Sequence, residues 1–302
     1  MSDTLVQDLI EAGIHFGQRS SSWNPKMQRF IYGKRNGIHI IDIKETVKGL
    51  LLAKKFIAKT VSSGKDVCFV GTKRQAKDVI NEHVLGIGMH AVTERWLGGT
   101  LTNFRTIRIR LKRLEELEAI DTTEGFAKYS KKMESQLRRE RDKIKRNLDG
   151  IRRMEKLPGA LVVIDVRREM TALKEARKLG IPTVCLIDTD SDPDLADIPI
   201  PGNDDAMRAI EIIVSELAAA VAEGKTARAQ QQLARKQGAG DAGRPRRSSR
   251  SQFRAEGPAG DEAAAPAEEP AAEHAAATPE QSACASDRGV PTNHTQGLRL
   301  GS

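Results

Sequence analysis

Three short runs constrain the fold most. "DVCFVG" (66–71), "ALVVID" (160–165) and "PTVCLID" (182–188) are almost continuously apolar. A strand with one wetted face alternates apolar and polar residues, whereas an unbroken apolar run belongs to a strand covered on both faces, as in a parallel sheet. The segments between them supply the covers. Residues 44–60 carry helical apolar spacing at Val47, Leu50, Leu51 and Ile57. Helices are also predicted over about 74–84, 170–179 and 206–222, the last capped by the asparagine and aspartates of "DIPIPGNDDA". Short strands are predicted at "IHIIDI" (38–43), near "HAVTE" and within "DIPIP". The order β-α-β-α-β, insert, β-α-β-β-α argues for an α/β fold. Its expected form is a mainly parallel, Rossmann- or flavodoxin-like sheet with helices on both faces.

The N-terminus reads as a short helix (5–12) and then a long loop, "GIHFGQRSSSWNPKMQRFIYGKRNG". Long loops in compact proteins usually carry a function. Trp23, Phe30 and Tyr32 suit a strap pinned to the core, and Arg19, Lys26, Arg29, Lys34 and Arg35 suit a surface that meets a partner. The two roles are compatible.

The insert at 105–156 is helical throughout. In its first helix Ile107, Leu111, Leu114 and Leu117 share an arc, and Arg105, Arg108 and Lys112 fall roughly opposite; Ile109 and Arg110 break the pattern. In its second helix Met133, Leu137, Ile144, Leu148 and Ile151 lie within about 60° at ~100° per residue. So narrow a seam suits an antiparallel coiled-coil hairpin. Charge is concentrated here. The chain carries 49 basic and 41 acidic residues, net +8, and residues 105–156 hold 17 basic and 10 acidic side chains, or +7. A mixed-charge coiled coil is often only solvated, but this excess favours a polyanion face with Arg138 and Arg139 in it.

From residue 229 the composition turns to Ala, Pro and charge, with eight acids and no bases over 255–287. Such a segment cannot bury enough apolar surface to order itself, so 229–302 is predicted to be a disordered tail. Four regions follow: 1–104 and 157–228 as two parts of the α/β domain, 105–156 as the hairpin, and 229–302 as the tail.

Signs of enzyme chemistry are weak. Of the three glycines in a dinucleotide-binding turn only Gly71 stands in "GTKRQA", and GxxxxGK[ST] is missing. Lys73 and Arg74 remain at that helix start, where an RNA phosphate can sit. His15, His39, His83 and His90 lack metal-ligand spacing. Asp188, Asp190, Asp192 and Asp194 of "DTDSDPD" offer oxygens to Mg²⁺ but fit turn and cap roles better, so no metal and no cofactor is expected. Cys68, Cys185 and Cys284 form no paired framework, which fits a reducing cytoplasm. No basic n-region opens the chain and no apolar run is long enough to span a bilayer.

"ERWLGGTLTNFRTIRIRLKRL" (94–114) joins a tryptophan, a glycine pair, an asparagine and a basic helix. Gly98 and Gly99 permit positive φ or close backbone approach. Thr102 is expected to cap the helix that starts near Arg105. Arg95 and Trp96 present a phosphate ligand and a stacking face, or else Trp96 anchors a tight turn from within.

Together with "AGIHFGQRSSSWNPKM", "FVGTKRQA", "GIPTVCLIDTDSDPD" and "IPIPGNDDA", this stretch resembles the bacterial small-subunit ribosomal protein S-two family from about Leu5 to Gly224. The tail lies outside the resemblance. The resemblance implies a non-enzymatic constituent of the small ribosomal subunit that binds 16S rRNA at the head–body junction on the solvent side. It also implies neighbouring ribosomal proteins as partners and help in docking the large mRNA-binding ribosomal protein S-one. On this reading the lysines and arginines named above contact phosphates, while Trp23, Asn24, Trp96 and Asn103 either pack against RNA or hold the loops that do. A dinucleotide-binding enzyme and a protein-only scaffold are the rival classes.

Overall fold

The computed structural model describes residues 3–122 and 130–241. Helix α1 (Asp3–Glu11) leads into β1 (Phe16–Arg19), a 3-10 turn (Pro25–Phe30), β2 (Ile31–Arg35) and β3 (Ile38–Ile41). The expected N-terminal loop is therefore largely a sheet. β1, β3 and β2 pair antiparallel in that order, so β3 is not a strand of the parallel sheet as the alternation suggested. The cause is local: Asn36 (φ 50°) and Gly37 (φ 77°) both adopt the left-handed conformation that a tight two-residue hairpin turn needs. Asn24 starts the 3-10 turn, its side chain accepting the Lys26 N–H at 3.1 Å.

The parallel sheet has five strands in the order β5-β4-β6-β7-β8. They are β4 (Val67–Val70), β5 (His90–Val92), β6 (Ala160–Ile164), β7 (Thr183–Ile187) and β8 (Ile198–Pro201), every neighbouring pair parallel. β4, β6 and β7 are buried at every position, as their unbroken apolar runs require. Successive side chains of one strand enter opposite cores. Val67 and Phe69 join a layer with α2 (Ile43–Ser62), α3 (Arg74–Gly86) and α7 (Met207–Asp241). Cys68 and Val70 join a layer with α6 (Met170–Leu179) and the roots of α4 (Phe104–Thr122) and α5 (Lys131–Leu148).

α4 and α5 occupy the predicted insert and pack against each other; residues 123–129 lie outside the described residues. Ion pairs join the two helices, Asp121 with Arg141 and Glu118 with Lys145 at 4.0 Å. Ile107, Leu111, Leu114 and Leu117 are buried, as their shared arc predicts. In the second helix burial fades along the seam: Leu148 and Ile151 are inside, Leu137 and Ile144 half-buried, and Met133 exposed. Ile151 belongs to a 3-10 turn (Asp149–Ile151) that seats the insert on the sheet edge. A Cβ at Gly150 would lie 2.0 Å from the Ala91 carbonyl oxygen, so only glycine allows that seating.

α7 continues to Asp241, past residue 229 where composition predicts the end of order. The remainder of the predicted tail, 242–302, lies outside the described residues. Asn203 Oδ1 accepts the N–H groups of Asp205 (2.8 Å) and Ala206 (3.2 Å), fulfilling the cap expected before α7.

Candidate nucleic-acid interface

The turn between β5 and α4 is built around an anion. Backbone N–H groups of Gly99 (2.8 Å), Leu101 (3.0 Å) and Thr102 (3.1 Å) converge, joined by the Trp96 indole N–H (3.1 Å) and the Thr102 hydroxyl (3.2 Å). Such a nest is what a phosphate needs. Its occupant, however, is the protein's own Glu175 carboxylate, buried on α6. Gly99 reaches φ 90° to aim its N–H there. Burial pushes the Glu175 carboxyl up, but the N–H groups of Gly99 and Thr102, the Trp96 indole and Leu101 outweigh it and hold the group below its ordinary value.

This arrangement reassigns three residues. Trp96 is 8 % exposed and serves as an internal anchor, so its ring offers no stacking face. Thr102 donates to Glu175 instead of capping α4. Asn103 precedes the helix: its carbonyl accepts from Thr106 and Ile107, and its side-chain oxygen accepts the Thr106 hydroxyl. Sequence reasoning missed Glu175 because it lies on another helix, more than 70 positions away. The bare Gly98-Gly99 backbone was its only signal.

A second buried network lies at the carboxyl end of the parallel sheet. Lys73, expected to face phosphate, is 13 % exposed and inserts its ammonium 2.7 Å from Asp204 and 2.6 Å from Asp205. Asp188 accepts from Gln18 of β1 at 2.9 Å, and Gln18 also donates to Asp205 at 2.8 Å. The Gln18 N–H donates to the Thr189 hydroxyl, so the small sheet is tied to the large one here. Asp188, Asp204 and Asp205 place oxygens within 4.8 Å of one another, a set able to hold a hard cation, but Lys73 already supplies positive charge to two of them. Burial pushes Asp188 up to about 6 and Asp204 up to about 7, whereas hydrogen bonding to Lys73 holds Asp205 below its ordinary value. The other aspartates act as turn residues: Asp192 caps a short 3-10 turn and Asp190 pairs with Arg167 at 2.9 Å.

The remaining predicted residues separate by what already holds them. Lys26 is paired with Asp192 (2.9 Å) and Asp194 (2.7 Å). Arg138 pairs with Glu134 at 2.8 Å, and Arg108 donates to the Met154 carbonyl at 3.1 Å. Trp23 is half-buried, its ring 4.9 Å from that of His39. Arg29 lies over the Phe30 ring at 4.7 Å. Arg19, Lys34, Arg35, Arg74, Arg95, Arg105, Lys112 and Arg139 are exposed, and among the described residues they carry no ion pair. Lys132, Lys143 and Arg146, not singled out from sequence, are also exposed. At ~100° per residue they fall with Arg139 within about 60° of α5's circumference, opposite its apolar seam. Four of the insert's exposed cations thus lie on one stripe of a helix. Cys68 and Cys185 are buried, the Cys68 thiol pushed up to about 12 by burial, and offer no nucleophile.

Residues 9–224 match the family described as Ribosomal protein S2. The chain belongs to the ribosomal protein S2 family. Members of the S2 family are structural components and not enzymes. Small ribosomal subunit protein uS2 of Rhodopirellula baltica is 56 % identical over 225 residues, covering 74 % of this chain and 86 % of that protein. The uS2 proteins of Syntrophobacter fumaroxidans (51 % over 220 residues; 73 % and 80 % of the two chains) and Mycolicibacterium vanbaalenii (48 % over 229; 76 % and 84 %) are similar as well. S2-family similarity thus covers the α/β body and the insert and stops before the acidic Ala/Pro segment.

Two consequences are measurable. Glu175→Gln leaves converging N–H groups facing a neutral amide, and hydrogen bonds to charged groups contribute roughly 1.5–3 kcal/mol each. Urea denaturation at pH 7 should show a loss of about 2 kcal/mol or more, and that loss should shrink as acid protonates the wild-type carboxylate, whose contribution disappears below its depressed pKa. Asp204 has the opposite sign. Its raised pKa stabilises the fold below the ordinary carboxylate range, and this contribution is lost as pH rises through about 7. Stability of Asp204→Asn relative to wild type should therefore rise between pH 4 and pH 8, read from melting temperatures across that range.

Proposed function

We propose that this chain is a structural constituent of the small ribosomal subunit, held in the cytoplasm on the ribosome, and that it binds 16S rRNA by phosphate and shape contacts at the head–body junction. The observation that supports this best is the stripe Lys132, Arg139, Lys143 and Arg146 on α5, with Arg105 and Lys112 on α4. Cations spaced along one helix face match a polyanion tracked along its backbone, and such contacts position a protein without reading sequence. In this reading α4 and α5 form an antiparallel coiled-coil arm whose inner seam is apolar and whose outer stripe meets RNA. Arg19, Arg29, Lys34 and Arg35 of the small sheet and its turn, with Arg74 and Arg95 on the body, supply further phosphate contacts. Duplex RNA admits few side chains to its deep groove, so backbone and shape dominate.

Docking of the large mRNA-binding protein S-one is the second part of the proposal. An open apolar groove of about 720 Å³ runs between α1, β3 and α2, lined by Val6, Ile40, Ile43 and Val47 and edged by Tyr32, which is 81 % exposed. A groove of this polarity suits a protein segment and not RNA. Neighbouring small-subunit proteins complete the surroundings.

The charge reversal Arg105→Glu, Lys112→Glu and Arg139→Glu uses only cations without an ion-pair partner among the described residues. It should lower co-sedimentation with small subunits at least about tenfold near 0.1 M salt while the circular-dichroism melt stays unchanged. The log–log salt slope should flatten by roughly 0.7–0.9 for each phosphate that the variant fails to neutralise. Retention of the variant at normal salt would refute the arm's role. Val47→Glu should leave 16S rRNA binding intact and remove S-one from the reconstituted subunit, measured by its stoichiometry after sedimentation.

A further inference from the structure

We propose that the crevice at the carboxyl ends of β6 and β7 takes an unpaired guanine base of RNA. This rests on the rRNA-binding reading above and extends it from phosphate contact to base recognition at one place.

The crevice has a volume of about 420 Å³, room for a purine. It lies where open parallel sheets accept ligands, outside the carboxyl ends of the strands. Arg167 and Met170 follow β6, Asp190 and Asp192 follow β7, and Trp23 and Asn24 come from the segment after β1. Two flat or flexible apolar bodies face one small space. Trp23 is half-buried, tilted 38° against His39, and Met170 remains 38 % exposed although it opens α6. An aromatic ring beside an exposed thioether is a surface that a base can cover.

The charges here argue against a phosphate. Arg167 lines the crevice against Asp190 and Asp192, and Lys26 and Arg177 offset Asp192 and Asp194 at its rim, so no surplus of positive charge awaits a phosphate. That environment favours a neutral group rich in N–H donors. Of the four RNA bases, guanine alone presents a ring N–H and an exocyclic amino group side by side on its pairing edge, and a carboxylate can accept both. Asp190 uses one oxygen on Arg167 (2.9 Å) and the other on the Ser191 hydroxyl (3.2 Å). A carboxylate has about four acceptor sites, so capacity remains for a second pair of donors. Unpaired, splayed bases held by stacking and edge hydrogen bonds are the usual route by which proteins read RNA sequence.

Kethoxal, which adds across N1 and N2 of unpaired guanine, tests this directly. With the full chain bound to 16S rRNA, one unpaired guanosine should be shielded from the reagent. Asp190→Asn and Met170→Glu should each restore its reactivity, while the melting temperature and retention of the RNA through the α5 stripe stay at wild-type values. Met170→Glu blocks the crevice without touching the Asp190–Arg167 pair, so agreement of the two variants excludes a folding defect. A parallel titration with guanosine monophosphate, followed by tryptophan fluorescence, separates free nucleotide from RNA as the source. Trp96 is sealed inside, so saturable quenching that Met170→Glu abolishes reports Trp23. The proposal is overturned if no guanosine depends on both residues and guanosine monophosphate quenches no better than adenosine monophosphate. Should wild-type chain fail to hold 16S rRNA, the ribosomal reading falls, and the nucleotide titration alone decides the crevice.

Discussion

A single carboxylate determines the shape of the surface next to the insert. Glu175 reaches from α6 across the layer and gathers five donors from the turn that launches α4. Without it, three backbone N–H groups and an indole N–H would be left buried or exposed to solvent, and the direction in which α4 leaves the sheet would lose its reference. The carboxylate also explains why Trp96 sits inside: its ring joins the layer under α4 and its one polar atom has a partner there. A nest that could have gripped a phosphate is filled from within, so the turn fixes where α4 leaves the sheet.

The Lys73 network does the equivalent at the other side of the sheet. The end of β4 is where a nucleotide-binding relative of this architecture would hold phosphate, and here a lysine ammonium and the aspartates that follow β7 and precede α7 occupy that position. Gln18 and Thr189 then attach the three-stranded sheet to the same spot. Burying carboxylates is unfavourable unless they are paired or protonated. Burial raises Asp188, which Lys73 does not pair with, and Asp204, which it does, above the ordinary carboxylate range. What the arrangement provides is geometry: it fixes the small sheet, and with it Arg19, Lys34 and Arg35, against the body.

How much of this the sequence discloses follows from the range of each interaction. β4, β6 and β7 were legible because burial on both faces writes itself into consecutive residues, and the seam of α4 was legible because helical periodicity is local. The small sheet was also written locally, in Asn36-Gly37, but the basic and aromatic residues around that pair drew the reading toward a loop. Glu175, Gln18 and Thr189 were not legible, since each acts on partners 70 or more positions away and carries no motif of its own. The charged candidates mark the limit most clearly. Composition counts Lys26, Lys73, Arg108 and Arg138 as cations, but only the fold reveals that each is already engaged.

That distinction changes what the net charge means. Residues 105–156 carry +7, yet Arg113, Arg138, Arg141, Lys145 and Arg152 lie against the acids of the same two helices. Exposed pairs of this kind contribute little stability. Their consequence is to offset charge at those positions and leave it uncompensated on the α5 stripe and at Arg105 and Lys112 of α4. The cations of the α5 stripe fall opposite its apolar seam, so the side chains that pack α5 and its exposed cations occupy different faces. Interleaved acids therefore set where uncompensated charge remains, which a uniformly basic helix of the same length would not do.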